Sequence, residues 1–277
     1  MERVISVEDR EWYVVIQTPD HSTDTLPLLL LHGFTGSGAV WQTVVGQLAQ
    51  VRPCITVDIT GHGRSSAPWD VSAYRMPVVA RDVLSVMSEL GWARFHLLGY
   101  SMGGRLALFI AQDAPNRVAS LCLESASPGL DAEEERIRRQ AADERLADAI
   151  EADGVPAFVA RWEQLPLFET QSRLPADVLE RQREIRLQQR SHGLANSLRG
   201  MGTGVQPSLW DSLSRLTMPV LLVTGALDAK FCDIADRMAQ RIPDVRRQVV
   251  SNAGHTVHLE RPDEYVEVVA SFLSNTP

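Results

Sequence analysis

Gly99-Tyr100-Ser101-Met102-Gly103-Gly104 follows directly on the apolar run Phe95-His96-Leu97-Leu98. A Gly-x-Ser-x-Gly stretch set between a strand and a helix is a nucleophile elbow. The turn is so sharp that glycine is needed beside the serine. It lifts the Ser101 hydroxyl above the end of a sheet and aims the N-terminus of the next helix at whatever binds there. Arg105-Leu106-Ala107-Leu108-Phe109-Ile110-Ala111 supplies that helix. Such an elbow requires an acid and then a histidine further along the chain.

Both follow in that order. Pro219-Val220-Leu221-Leu222-Val223 reads as a buried strand and leads through a loop to Asp228, and Gln248-Val249-Val250 reads as a short strand leading to Gly254-His255. Ser101, Asp228 and His255 each sit just past the carboxyl end of a strand, where open α/β sheets place their ligands. A hydroxyl is a weak base and nucleophile at its ordinary pKa. His255 can take its proton, and Asp228 can hold the imidazole tautomer and stabilise the imidazolium. A lone serine or aspartate would read as a turn former. The three together, in this order and context, read as a Ser–His–Asp triad.

The apolar run 28–31 precedes His32-Gly33-Phe34-Thr35-Gly36-Ser37-Gly38. Such a loop can present a backbone N–H to a developing oxyanion, and the expected donors are the amides of Phe34 and Met102. Loss of one such donor costs about 3–4 kcal/mol of transition-state stabilisation. The same glycines, with Asp58 further on, imitate a dinucleotide fingerprint. Their spacing is G-x-x-G-x-G rather than G-x-G-x-x-G, and they follow the third strand rather than the first. His32 and His62 are expected to brace loops. His258 has no third ligand at metal spacing and is read as structural, so no metal is expected.

The chain has 277 residues, 44% of them hydrophobic, enough for one large α/β core with an insertion. A formal net charge of −8 argues against a nucleic-acid or anionic-membrane partner. Three cysteines (Cys54, Cys122, Cys232) cannot all pair and show no C-x-x-C spacing, which fits a reducing compartment. The first residues lack a basic and then apolar leader, so a cytoplasmic protein is expected.

Strand-like runs at 4–7, 12–17, 28–31, 54–58, 95–98 and 118–123 alternate with helical periodicity at 40–49 and 77–90. The alternation resumes with a strand ending at 223, a helix over 232–241, a strand over 248–250 and a helix over 264–273. Residues 1–129 and 212–277 therefore read as the core, a mostly parallel doubly wound sheet, which with its elbow and triad order resembles the α/β-hydrolase fold. Residues 130–211 contain no strand pattern, only helical runs at 131–152, 157–164 and 175–189. They read as an inserted helical lid over the carboxyl edge of the sheet, excluding water from the site.

Arg105 is the one charged residue in the nucleophile helix. Four positions after Ser101, it lies about 6 Å along the axis on the same face. Helical side chains lean toward the N-terminus, so its guanidinium either reaches back beside Ser101 or pairs with Glu124 at the end of the next strand. The lid is rich in arginine. Arg139 has Glu135 and Asp143 four residues either side, as in a solvated salt-bridged face. Alternatively, a few such arginines turn inward and bind carboxylates through bidentate pairs.

Beyond the elbow, the runs 99–105, 124–130, 158–168, 193–204, 206–210 and 228–231 carry a more specific likeness. They include Glu124-Ser125-Ala126-Ser127-Pro128-Gly129-Leu130 and Arg161-Trp162-Glu163-Gln164. In these the chain resembles the 2-succinyl-6-hydroxy-2,4-cyclohexadiene-1-carboxylate synthases of menaquinone biosynthesis, over nearly its whole length. That resemblance implies a lyase that eliminates pyruvate from a small-molecule tricarboxylate without a cofactor. It implies that Ser101, Asp228 and His255 abstract a proton, and that Arg105, Arg139 and Arg186 bind the substrate with Tyr100 and Trp162 lining the pocket. A monomer or weak homo-oligomer is expected. The triad alone also fits a carboxylic-ester or carbon–carbon bond hydrolase, and the fold alone fits a non-catalytic sensor of a small acid.

Overall fold

In the computed structural model, which describes residues 1–21 and 24–276, eight strands form a single sheet. They are β1 (Glu2–Val7), β2 (Arg10–Gln17), β3 (Leu28–Leu31), β4 (Cys54–Val57), β5 (Phe95–Tyr100), β6 (Val118–Glu124), β7 (Val220–Gly225) and β8 (Val245–Val250). Their spatial order is β1-β2-β4-β3-β5-β6-β7-β8. β1 and β2 form an antiparallel hairpin, β2 runs antiparallel to β4, and every other pairing is parallel. The helices are α1 (Gln42–Leu48), α2 (Met76–Glu89), α3 (Met102–Asp113), α4 (Glu133–Trp162), α5 (Ala176–Leu187), α6 (Ser191–Met201), α7 (Ala229–Ala239), α8 (Val257–Glu260) and α9 (Pro262–Ser274).

The central strands are buried almost throughout and mostly apolar because both faces are covered. Leu29, Leu31, Ile55, Leu97, Leu121 and Leu123 point to one layer, packing with Val79 and Val83 of α2 and Leu106 and Ile110 of α3. Leu28, Leu30, Cys54, Leu98, Cys122 and Leu221 point to the other, with Val44 and Leu48 of α1 and Val269 and Phe272 of α9. Parallel register aligns the carboxyl ends: Tyr100 lies opposite Glu124, and Glu124 opposite Val223. The residues that follow β5, β6 and β7 therefore emerge together at one edge.

Between β6 and β7 the chain is helical, with no strand among the described residues. The runs expected at 131–152 and 157–164 belong to one element, α4, bent at Gly154 (φ 80°, ψ 167°). A 3-10 stretch, Pro166–Arg173, follows. Neither that stretch nor α6 stands out in the sequence. α6 contains Gly193 and Gly200, poor helix formers. Both face close neighbours: a Cβ on Gly193 would overlap the backbone of Gly61, and one on Gly200 would overlap Tyr74. Packing, not propensity, sets this helix. α4 and α6 share their own small core of Ile150, Phe158, Val159, Leu194 and Leu198. No described helix is long and apolar enough to cross a membrane.

The elbow shows why its glycines are needed. Ser101 has φ 51° and ψ −109°, a region hostile to side chains. A Cβ on Gly103 would overlap the carbonyls of Leu31 and His32, and one on Gly99 would overlap the carbonyl of Gly103. α3 is thus pressed directly on β3 and β5. Gly103→Ala is expected to destabilise the fold by about 3 kcal/mol, read as the shift in urea-unfolding midpoint. Wild-type stability in that variant would mean that α3 can slide away from the sheet.

Candidate active site

Ser101, Asp228 and His255 are separated by long stretches of chain and meet at the carboxyl edge. Ser101 Oγ lies 3.1 Å from His255 Nε2, and His255 Nδ1 lies 2.7 Å from Asp228 Oδ2. With Nδ1–H donating to the carboxylate, Nε2 is left to accept the Ser101 proton. Asp228 is itself held: it caps α7, its Oδ1 accepting from the Phe231 amide at 3.4 Å. His255 is 2% exposed and walled by the rings of Phe231, Tyr100 and Phe168, with centroids 4.6, 5.4 and 6.5 Å away. This burial keeps water from competing for the ring nitrogens.

A cavity of about 390 Å³ opens over this triad, lined by Phe34, Tyr100, Ser101, Met102, Arg105 and Arg139 among others. Met102 is the first residue of α3, so its N–H has no acceptor within the helix. Phe34, from the loop after β3, lines the same cavity. Trp162 closes the top, its ring 5.4 Å from those of Phe34 and Phe158.

Arg105 does not pair with Glu124. That carboxylate is taken by His258, whose backbone N–H and Nδ1–H both donate to it, at 3.1 and 2.9 Å. Arg105 instead donates to the Met201 carbonyl at 2.8 Å and to Gln206 Oε1 at 2.7 Å, both neutral. It makes no ion pair with any described carboxylate. Burial, and then the neighbouring Arg139, bring its pKa down to about 10, so it stays protonated at neutral pH. Arg139 bonds Asp143 at 2.8 Å and leaves nearly half its side chain exposed. Arg105, Arg139 and Lys230 therefore line the cavity, and the carboxylate bonded to Arg139, Asp143, has its own pKa raised by burial.

Arg186 stands elsewhere. Its guanidinium pairs with Glu163 at 3.1 Å and lies 5.3 Å from the Phe168 ring centroid. It lines a separate cavity of about 560 Å³ with Glu163, Phe168 and Arg183, behind the wall of the triad cavity. Glu163, at the end of α4, draws both Arg183 and Arg186 toward itself. Sequence spacing shows α5 carrying arginines but not the carboxylate that claims them.

The structure adds a polar chain the sequence does not announce. Gln171 donates to Thr256 Oγ1 at 2.9 Å, and the same hydroxyl bonds Tyr100 Oη at 3.0 Å. Arg186 reaches Gln171 Oε1 at 3.5 Å. The 3-10 stretch of the insertion is thereby tied to the residues following His255 and preceding Ser101. A threonine beside the histidine and a lone glutamine carry no motif that could have marked them.

Residues 27–262 match the α/β hydrolase fold family. A Bacillus subtilis protein named, provisionally, for 2-succinyl-6-hydroxy-2,4-cyclohexadiene-1-carboxylate synthase is 41% identical over 98% of both chains. The Pectobacterium atrosepticum protein bearing that synthase's name is 33% identical, over 90% of this chain and 94% of its own. The chain belongs to this synthase family within the α/β-hydrolase fold. The structure of MenH from S. aureus superimposes with a TM-score of 0.90 at 32% identity, covering 94% of this chain and 97% of that one.

Beneath the site, His32 and His62 brace the loops as their positions imply. Ile59 N–H donates to His32 Nε2 at 2.9 Å, and Nδ1 contacts the Gly33 carbonyl at 2.8 Å. His62 Nδ1 contacts the Thr60 carbonyl at 3.2 Å. Burial lowers the pKa of His32 to about 4, of His62 to about 3 and of His96 to about 4. Their unfolded values lie near 6.5, so below that pH the unfolded chain binds protons that the folded one refuses. Stability therefore falls as pH drops from about 6.5 toward 4. Urea-unfolding midpoints at pH 7, 5.5 and 4.5 should decline in that order; a flat profile would show these rings accept protons while folded.

Proposed function

We propose that this chain is a carbon–oxygen lyase that eliminates pyruvate from 2-succinyl-5-enolpyruvyl-6-hydroxy-3-cyclohexene-1-carboxylate, giving 2-succinyl-6-hydroxy-2,4-cyclohexadiene-1-carboxylate for menaquinone synthesis. The observation that carries it is the unpaired Arg105 guanidinium, with Arg139, on the wall of the cavity that holds the triad. A protein of net charge −8 places Arg105, Arg139 and Lys230 around the cavity of its reactive serine. An ester substrate makes no use of them, whereas a substrate with three carboxylates does. The names of the relatives support the same reading.

In this reading Ser101 passes its proton to His255 Nε2 and, as alkoxide, takes the proton alpha to the succinyl ketone. The Met102 and Phe34 amides hold the resulting enolate oxygen. The electron pair then moves through the ring alkene, forms the second ring double bond and breaks the bond to the enolpyruvyl oxygen. The leaving group departs as the enolate of pyruvate and takes the proton from His255, while Ser101 keeps the proton it abstracted, so the triad is restored. Asp228 stabilises the transient imidazolium. No acyl-enzyme forms and no step draws on a metal or cofactor. Arg105 and Arg139 hold carboxylates, with Tyr100 and Trp162 against the ring. Arg186 reaches the substrate only on release from Glu163.

Incubation with enzymatically prepared substrate should yield pyruvate and a conjugated diene in equal amounts, and activated esters should give no burst. Ser101→Ala should abolish pyruvate release. Arg105→Ala should cost about 2–5 kcal/mol in transition-state binding, roughly 30-fold or more in kcat/KM. Free ester turnover with no pyruvate would replace this reading with a hydrolase.

A further inference from the structure

Among the described residues, five that are not glycine have positive φ: Glu8, Thr35, Ser101, Ser125 and Asn252. Ser101 is accounted for by the elbow. Ser125 (φ 46°) is not, yet it lines the same cavity, with Arg105, Phe231 and His255. It is the residue immediately after β6, between the strand ends that carry Ser101 and the Asp228 loop. Its place there is firm. Its own N–H donates to the Val223 carbonyl at 3.0 Å, and the Ser101 N–H donates to the carbonyl of the preceding residue, Glu124, at 2.9 Å. Ala126, next along, packs where a Cβ on Gly104 would collide, which locks this strand end against α3.

The side chain is a different matter. Ser125 is fully buried, and its Oγ has no hydrogen-bond partner in the protein. Ser127, two residues on, offers a contrast: its Oγ accepts from the Gly129 amide at 3.4 Å. A buried hydroxyl without a partner is costly, and so is a left-handed backbone at a residue with a Cβ. Glycine at this position would remove both costs, and nothing in the packing of the β6 end requires the hydroxyl. A group that weakens the fold while facing a reactive cavity is retained for what enters the cavity.

We propose that Ser125 is a substrate-binding residue whose hydroxyl donates to a carboxylate oxygen of the polyanion that Arg105 holds. The proposal rests on the lyase reading above. Arg105 and Arg139 line the same cavity as Ser125, so a carboxylate they hold can bring an acceptor to an O–H that has none in the protein. The Met102 and Phe34 amides serve the enolate oxygen, so the Ser125 bond is made to a group that carries its charge before and after reaction. It therefore contributes to ground state and transition state alike, and its loss appears in KM rather than in kcat.

The test compares wild type, Ser125→Ala and Ser125→Gly in pyruvate release and in thermal melting. Both variants should lose roughly 10- to 100-fold in kcat/KM, carried by KM. Ser125→Ala should melt with the wild type, and Ser125→Gly at or above it. Stability held or gained while substrate binding falls is a result a merely structural serine would not give. Kinetics within twofold of wild type in both variants, or losses that track a lowered melting temperature, would overturn the assignment. A wild type that releases no pyruvate would instead sink the lyase reading itself, and the Ser125 assignment with it.

Discussion

Close backbone contact between α3 and the strands beneath it is the constraint on which the site depends. Ser101 is held at φ 51° and ψ −109°, a conformation that costs on the order of 1–3 kcal/mol. It persists because the surrounding core over-determines it. Gly99 and Gly103 let carbonyls of β3 and α3 approach within what a Cβ would occupy. Three consequences follow from that one contact. The hydroxyl stands clear of the sheet within reach of His255. Met102, whose N–H has no acceptor within α3, lines the cavity. Arg105, one helical turn down, is brought to the same wall.

Charge is then arranged by what each arginine is allowed to meet. Arg199 is saturated by Glu144, Asp148 and Glu151, and Arg161 pairs with Asp153. Arg183 and Arg186 share Glu163. These pairs stabilise the insertion only slightly where they are exposed. Arg105, like Arg52 and Arg190, bonds only neutral oxygens, but of these three it is the one that lines the triad cavity. A cation left without its counter-ion in low dielectric is poised to bind an anion, since the attraction is weakly screened there. An acidic chain thereby keeps a local positive wall in the cavity that Ser101 lines.

The helical insertion is attached to the loops at the carboxyl edge by polar contacts as well as by apolar packing. Gln171 and Thr256 join it to the segment after His255, and Trp162 and Phe158 join it to Phe34. Movement of the 3-10 stretch would therefore be felt at the histidine loop. Gly154, at φ 80° in the middle of α4, separates the arm bearing Arg139 from the arm bearing Trp162. The two halves of the cavity roof are consequently set by different helical segments.

Much of this was legible in the chain itself. The elbow, the order serine, aspartate, histidine, and the alternating apolar runs rest on turn stereochemistry and side-chain periodicity, which operate within ten or so neighbouring residues. They place every strand, with ends shifted by one to three residues where hydrogen bonding to a neighbour extends the ladder, as at Val245 of β8. What the tertiary structure alone decided is which long side chains find partners. Arg105 and Glu124 stand at a spacing that permits a pair, yet His258, far along the chain, takes the carboxylate. Arg186 is committed to Glu163 across a bend, and α6 forms around glycines because Gly61 and Tyr74 press on them. The backbone answers to its neighbours in sequence; an extended, flexible cation answers to whichever acceptor the fold happens to bring within reach.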